Sequence, residues 1–78
     1  MVAGFVWDEL QPYYFAPLTP YPHDRTFADL RIDGGDLSDI IQTFEARFLR
    51  RWTGTWIGPD DPTLEGFARG LVDSTEAR

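Results

Sequence analysis

A helical repeat of apolar residues in the middle of the sequence is the feature that most constrains its fold. Because five apolar residues recur at the i, i+3, i+4, i+7 and i+11 spacing, one face of the segment is expected to be buried. Aspartates lie near its start and arginines near its end, as the helix macrodipole favours. The pattern predicts a helix over residues 36–50 with this apolar stripe: Leu37, Ile40, Ile41, Phe44 and Phe48.

Two shorter stripes lie on either side of this segment. A first helix over residues 2–10 is indicated by three residues that share one helical face: Val2, Val6 and Leu10. Towards the other end, Asp61 is suited to an N-cap and Pro62 to the first position of a helix over residues 62–74. Three stripes, each one face wide, predict an all-α fold, a small three- to four-helix bundle.

The segments between these stripes are less regular. Residues 12–22 contain four of the six prolines, and because proline fixes φ and lacks a donor, we expect an extended connector there. Residues 26–35 fit either a strand and turn or a short helical turn. Residues 52–61 are interrupted by two glycines and a proline, which predicts a loop with its two tryptophans and Ile57 against the core, or a short strand.

Length and composition limit the architecture. A chain of 78 residues predicts a single domain over residues 1–78, within which residues 1–22 form an aromatic- and proline-rich N-terminal segment. The absence of cysteine excludes a disulfide framework and a thiolate metal site. No segment has the ~18 to 20 consecutive apolar residues of a membrane span, and no basic signal-peptide region opens the sequence, so we expect a cytoplasmic location.

Charge limits the kinds of partner. Thirteen acidic and seven basic residues give a net charge of -6, which repels phosphate backbones and anionic lipid and favours a basic protein surface. We therefore expect neither direct nucleic-acid binding nor membrane binding. The sequence contains no phosphate loop, zinc-ligand spacing or catalytic triad. We expect no cofactor, no metal and no enzymatic activity.

The sequence LRIDGGDLSDIIQTFEARF, residues 30–48, resembles the signature of acyl carrier proteins. In that family a leucine, two residues, an aspartate and a modifiable serine open an acidic helix that ends in an acidic residue and a phenylalanine. Residues 63–71 resemble the start of the family's last helix, so the resemblance covers roughly residues 26–73. The matched positions are Leu30, Asp33, Asp36, Asp39, Ile40, Ile41, Phe44, Glu45 and Phe48.

The chain departs from this family at one position, where the family's serine is replaced by Gly34. A glycine has no oxygen to receive phosphopantetheine, and Ser38 lies about one helical turn further on, where we do not expect it to substitute. The resemblance therefore implies a non-catalytic acyl-carrier-like protein that is not phosphopantetheinylated. It also implies binding, through the acidic helix, to a larger protein with a basic docking surface, such as a fatty-acid or polyketide-type enzyme.

The candidate partner-binding residues are Asp33, Asp36, Leu37 and Asp39. Their carboxylates equally fit helix caps and a solvated face, and Gly34 with Gly35 fits an ordinary positive-φ turn. A second hypothesis is a small acidic inhibitor or antitoxin whose carboxylates imitate nucleic acid on a basic target. The grouping of acidic residues between positions 29 and 39 favours the first hypothesis. We assign His23 no role.

The aromatic residues of the N-terminal segment also allow two interpretations. They either cover the helical bundle or form an exposed recognition strip that docks a partner. The residues concerned are Tyr13, Tyr14, Phe15 and Tyr21.

Overall fold

The computed structural model describes residues 2–32 and 34–78. Asp33, one of the predicted partner-binding residues, lies outside the described residues. The elements, in chain order, are α1 Val2–Tyr14, α2 Phe27–Leu30, α3 Gly34–Arg47, β1 Arg50–Trp52, α4 Leu64–Asp73 and β2 Thr75–Ala77.

The prediction of an all-α bundle is wrong, because β1 and β2 form an antiparallel two-stranded sheet in which Arg51 lies opposite Glu76. The chain has a small mixed α/β fold. The helix predicted over residues 36–50 ends at Arg47, since Leu49 adopts a left-handed conformation with φ 55° that no α-helix continues. The next residues adopt the extended conformation of β1. The Arg50 side chain donates from Nε to Thr75 Oγ1 at 2.7 Å and so joins the two strands.

Helix α1 is longer than the predicted helix over residues 2–10. It continues to Tyr14 and contains Pro12, the residue at which the sequence predicts the start of the extended connector. Proline removes only its own N–H bond and crowds one carbonyl of the preceding turn. At this position the helix has only two more residues, and the amide of Phe15 still donates to the Gln11 carbonyl at 3.1 Å.

The ambiguous stretch over residues 26–35 contains a helical turn. Thr26 caps α2 in a capping box with Asp29, and the left-handed residue Arg31 ends it. The N-cap of α4 is Thr63, whose hydroxyl accepts from the Gly66 amide at 3.1 Å, and not Asp61 as predicted. The Asp61 carboxylate instead accepts from the Ala28 amide at 2.8 Å, so it fastens α2 to the loop before α4.

One hydrophobic core joins α1, α2, α3 and α4. The predicted stripe of α3 is divided by depth, since Ile40 and Phe44 are buried while Leu37, Ile41 and Phe48 are half-buried. This arrangement leaves α3 with one face in the core and a flank on either side of it. The buried apolar side chains are Phe5, Val6, Leu10, Phe27, Ile40, Phe44, Leu64, Phe67, Ala68 and Leu71.

Candidate functional site

Helix α3 presents two different flanks. Asp36 and Asp39 lie three residues apart and therefore share one side of the helix, where they border a cleft against α1. Leu37 and Ile41 share the other side, where they border a groove against the segment that follows β1. The structure therefore brings Asp36 and Asp39 together but places Leu37, the third described member of the predicted site, on the opposite flank.

The acidic flank forms what we call the α1–α3 cleft, an open space of about 170 Å³. Its floor is apolar, because Leu10 and Ile40 are buried beneath it. Its border carries carboxylates from both helices, and none of the lining residues is basic. The lining residues are Glu9, Leu10, Tyr13, Tyr14, Asp36, Asp39, Ile40 and Thr43.

The two aspartates of the cleft differ in their surroundings. Asp36 is half-buried, and its Oδ2 accepts a hydrogen bond from the Tyr14 hydroxyl, which fixes the carboxylate against α1. Asp39 is exposed, and its carboxylate has no hydrogen-bond or ionic partner among the residues that the structure describes. Of these two aspartates, one is therefore oriented by a hydrogen bond and the other is free to meet a cationic group.

Gly34, which the resemblance to acyl carrier proteins aligns with their serine, is the first residue of α3 and is exposed. A Cβ built on it would meet nothing within 4 Å. The interpretation of Gly34 and Gly35 as a positive-φ turn is wrong, because both lie within the helix and the left-handed residue before it is Arg31. Ser38 is exposed, and its hydroxyl lies 3.5 Å from the Gly34 carbonyl oxygen to which it donates.

The apolar flank forms what we call the Trp groove, with a volume of about 340 Å³. Trp56 stacks on Phe67 with ring centroids 5.2 Å apart and donates its indole N–H to the Pro59 carbonyl at 3.1 Å. Among the described residues that line the groove, Asp60 is the one that carries a charge. The lining residues are Leu37, Ile41, Trp52, Trp56, Pro59, Asp60, Pro62 and Phe67.

Sequence reasoning misses the contributions of α1 and of the tryptophans. Glu9 and Tyr14 join the cleft only because α1 packs beside α3, and no local pattern in either segment encodes that pairing. The sequence predicts Trp52, Trp56 and Ile57 against the core, and this is confirmed for Trp56 only, since Trp52 is not among the side chains that pack on the core and Ile57 is exposed. Both tryptophans are half-buried and form one wall of the groove. The signal that could have found them is their number, because a domain this small has difficulty burying every aromatic side chain.

The proline-rich connector after α1 has its own contacts. His23, to which the sequence analysis gives no role, lies with Nδ1 3.2 Å from Glu65 Oε1, and both side chains are largely exposed. Tyr21 is half-buried, and burial, followed by the negative charge of Glu65, raises the pKa of its hydroxyl. The aromatic strip is divided, since Tyr13 is 82% exposed whereas Phe15 is half-buried against Trp7.

Metal sites and membrane spans are both absent from residues 2–32 and 34–78. No three His, Asp or Glu side chains there come close enough together to hold a metal ion. None of the helices in these ranges has the length and apolar character needed to cross a membrane.

Comparison with known proteins gives no relative: no protein-family model matches the chain, and neither a curated protein nor a solved structure matches it.

Proposed function

We propose that this chain is a non-catalytic, acyl-carrier-like protein that is not phosphopantetheinylated and that acts by binding a basic surface of another protein. The observation that carries the proposal is the α1–α3 cleft, where Glu9, Asp36 and Asp39 converge from two helices. A Lys or Arg side chain of a partner would enter this cleft and meet carboxylates on both sides.

The expected gain lies in association rate and specificity more than in affinity. An exposed ion pair contributes only about 0.2 to 1 kcal/mol, because solvent and salt screen it. Complementary charge on two surfaces can nevertheless raise the association rate by a factor of about 10 or more at low salt. The bond from Tyr14 to Asp36 helps here, since a carboxylate that is already oriented loses less conformational freedom on binding.

The acidic residues outside the cleft form two groups, and only the group with local structural contacts counts against a nucleic-acid mimic, which would spread free charges; Asp8, Asp24, Asp60 and Asp73 have no such contact among the described residues. Several carboxylates outside the cleft have local structural contacts. Glu45, for example, accepts from the Trp52 amide at 3.0 Å and so covers the outer edge of β1. The others are Asp29 with Thr26, Asp61 with Ala28, Glu65 with His23 and Glu76 with Arg51.

The start of α3 supports a protein that carries no acyl arm. Gly34 has no hydroxyl, and Ser38 lies a full helical turn further along the chain. By resemblance to acyl carrier proteins, the partner would be a larger enzyme with a basic docking surface, of the fatty-acid or polyketide type.

Charge removal in the cleft tests the binding proposal. The immobilised wild-type chain should retain a partner from an extract of its host at low salt and release it as salt rises. The Asp36→Asn, Asp39→Asn double variant should retain several-fold less, because attraction to the basic surface is lost while asparagine still accepts from Tyr14. Binding kinetics of the recovered partner provide the measurement.

A charge-matched control separates this effect from net charge. The Asp24→Asn, Asp73→Asn variant removes two carboxylates that are exposed and lie outside the cleft. It should bind as the wild type does. If both double variants show the same association rate and salt dependence, the cleft is only a solvated surface and the proposal fails.

The missing serine is tested with coenzyme A and a broad-specificity phosphopantetheinyl transferase. The wild-type chain should gain no mass, whereas Gly34→Ser should be modified at least in part, because the added side chain meets open space at the start of α3. Intact-mass spectrometry provides the measurement. Modification of the wild type would refute the non-carrier proposal, and a folded but unmodified Gly34→Ser variant would count against the carrier resemblance.

A further inference from the structure

The geometry points to a second recognition element on the other flank of α3: the Trp groove receives an apolar side chain of a partner segment whose neighbouring residues are cationic. This inference rests on the proposed function and adds to it the chemistry of the partner. The bound surface would straddle α3, with cationic groups at the α1–α3 cleft and an apolar anchor in the groove about one helix diameter, ~10 Å, away.

The groove is built to hold an apolar group. Leu37 and Ile41 form one wall from α3, Phe67 lies in the core below, and Trp52 and Trp56 form the facing wall. Large aromatic side chains that stay partly exposed around a depression are typical of binding hot spots. The indole N–H of Trp52 has no acceptor within the described part of the chain, so it is available to a backbone carbonyl of a bound segment.

Charge determines what accompanies the apolar anchor. Asp60 lines the groove, is exposed and has no ionic partner in the described ranges. The neighbouring depression over Ile41 and Trp52 adds Glu45 and, like the groove, is lined by no basic residue. With a net charge of -6 over the chain, a segment with Arg or Lys beside its anchor is attracted here, and an acidic segment is repelled.

The same charges disfavour a second copy of this chain as the occupant. Two copies that met through this face would bring Asp60 and the α3 carboxylates of each protomer together, and like charges at a contact oppose association. The groove is also open to solvent and does not enclose a small ligand, so a segment of a larger partner can lie in it.

The tryptophans allow a direct test in the intact chain. Two of the three tryptophans line the groove, and the Trp7→Phe variant leaves only those two as reporters. The probe is a short labelled peptide with a Phe-Leu pair between pairs of arginines. One control peptide replaces Phe-Leu with Ser-Ser, and another replaces the arginines with glutamines. Tryptophan emission and peptide anisotropy are both measured.

We expect the Phe-Leu peptide with arginines to bind at least tenfold more tightly than either control and to shift tryptophan emission to the blue. Only this peptide has both an apolar pair that the groove can bury and cationic residues beside it. Ile41→Ser, which removes a groove wall, should weaken its binding severalfold. Ala46→Ser, an exposed position on the same helix, should not. If Ile41→Ser fails to fold, the comparison of the three peptides still tests whether the groove binds an apolar side chain with cationic neighbours.

Each contrary outcome identifies what is wrong. Equal binding of the Phe-Leu and Ser-Ser peptides would show that the groove does not contribute to binding and would leave the acidic cleft as the binding site. Equal binding of the arginine and glutamine peptides would overturn the cationic occupant. Self-association in sedimentation, with a blue shift in the absence of peptide, would make a second copy the occupant. Failure of every arginine peptide to bind would overturn the proposed function itself.

Discussion

The region around α4 and the connector after α1 differ in how they are held. Near the end of α4, Ser74 is fully buried and its hydroxyl accepts from the Ile57 amide at 2.6 Å, while Thr75 donates to the Leu71 carbonyl at 2.5 Å. In the connector, Leu18 is 97% exposed with φ 65°, and the Tyr21 hydroxyl is buried without a partner among the described residues. Directional hydrogen bonds to buried groups specify the first region. The second is held by ring contacts, by hydrogen bonds at exposed positions such as that from Thr19 to the Ala16 carbonyl, and by the exposed contact of His23 with Glu65.

This difference indicates how sensitive the stability of each region is to substitution. A region whose buried donors and acceptors are paired tolerates little change in shape, because a displaced group loses both its contact and its hydrogen bond. A connector held by rings, such as Trp7 with Phe15 and Tyr21 at 4.6 and 5.5 Å, can lose a single polar atom at little cost. Substitutions should therefore have large effects in the core, intermediate effects at α4 and small effects in the connector.

The largest effect is expected in the hydrophobic core that α1, α3 and α4 share. Phe44 is completely buried and contacts the rings of Phe5 and Phe48. Phe44→Ala should cost about 3 to 5 kcal/mol through lost burial and the cavity left behind. That is comparable with the whole stability of a small domain.

Urea unfolding followed by circular dichroism provides the measurement. Gln42→Ala, at an exposed position of the same helix, is the control and should change stability by less than about 0.5 kcal/mol. A Phe44→Ala chain that unfolds cooperatively near the wild-type midpoint would show that this side chain does not hold the core together.

The next effect is expected at Gly70, which faces Trp56. A Cβ built on Gly70 would lie 2.3 Å from the Trp56 ring, too close for any real contact. Gly70→Ala should therefore displace the ring from Phe67 and destabilise the chain by about 1 to 3 kcal/mol, reduced by up to about 1 kcal/mol of improved helix propensity. Tryptophan emission should also change, because Trp56 becomes more exposed.

A second glycine of α4 provides the control. At Gly66 the nearest atom to an added Cβ would be Thr63 Oγ1 at 3.4 Å, an ordinary contact. Gly66→Ala should be neutral or slightly stabilising, since only the helix propensity changes. If the two alanine variants have the same stability, the close packing of Trp56 on α4 is not what specifies this region.

The sequence predicted the features that depend on local periodicity and missed those that depend on tertiary contact. The repeat from Leu37 to Phe48 located the central helix and its apolar face, on which Ile40 and Phe44 are buried, because helical spacing is visible in the chain itself. It did not show that Leu49 turns the chain into a strand, since the pairing partner lies near Thr75, far along the sequence.

The residues of the candidate site divide in the same way, into those that the sequence indicated and those that only tertiary packing places there. Asp36 and Asp39 were predicted from the resemblance to the acidic helix of acyl carrier proteins, and the structure places both beside one cleft. Glu9 was not found, because its place in that cleft follows from the packing of α1 on α3. Leu37 was grouped with the aspartates by its position in the sequence, although one residue along a helix turns a side chain by about 100° onto another flank.

The smallest effect is expected in the connector, at Tyr21. Because its hydroxyl is buried without a partner in the described part of the chain, Tyr21→Phe should change stability at neutral pH by no more than about 0.5 kcal/mol, and in the stabilising direction if at all.

The difference in stability between wild type and Tyr21→Phe should grow in alkali. Burial, and then Glu65, raises the pKa of Tyr21 in the folded chain, whereas the unfolded chain loses this proton near pH ~10. The unfolded state therefore binds fewer protons than the folded state above that pH, so the wild type should lose stability as pH rises through the folded pKa. Tyr21→Phe should lose less stability over this pH range. Glu65→Gln removes only the charge that adds to the effect of burial, so its loss of stability should lie between those of the wild type and Tyr21→Phe. Urea unfolding at a series of pH values measures this, and identical alkaline profiles for wild type and Tyr21→Phe would mean that the hydroxyl is hydrated and that the connector covers it less than the structure indicates.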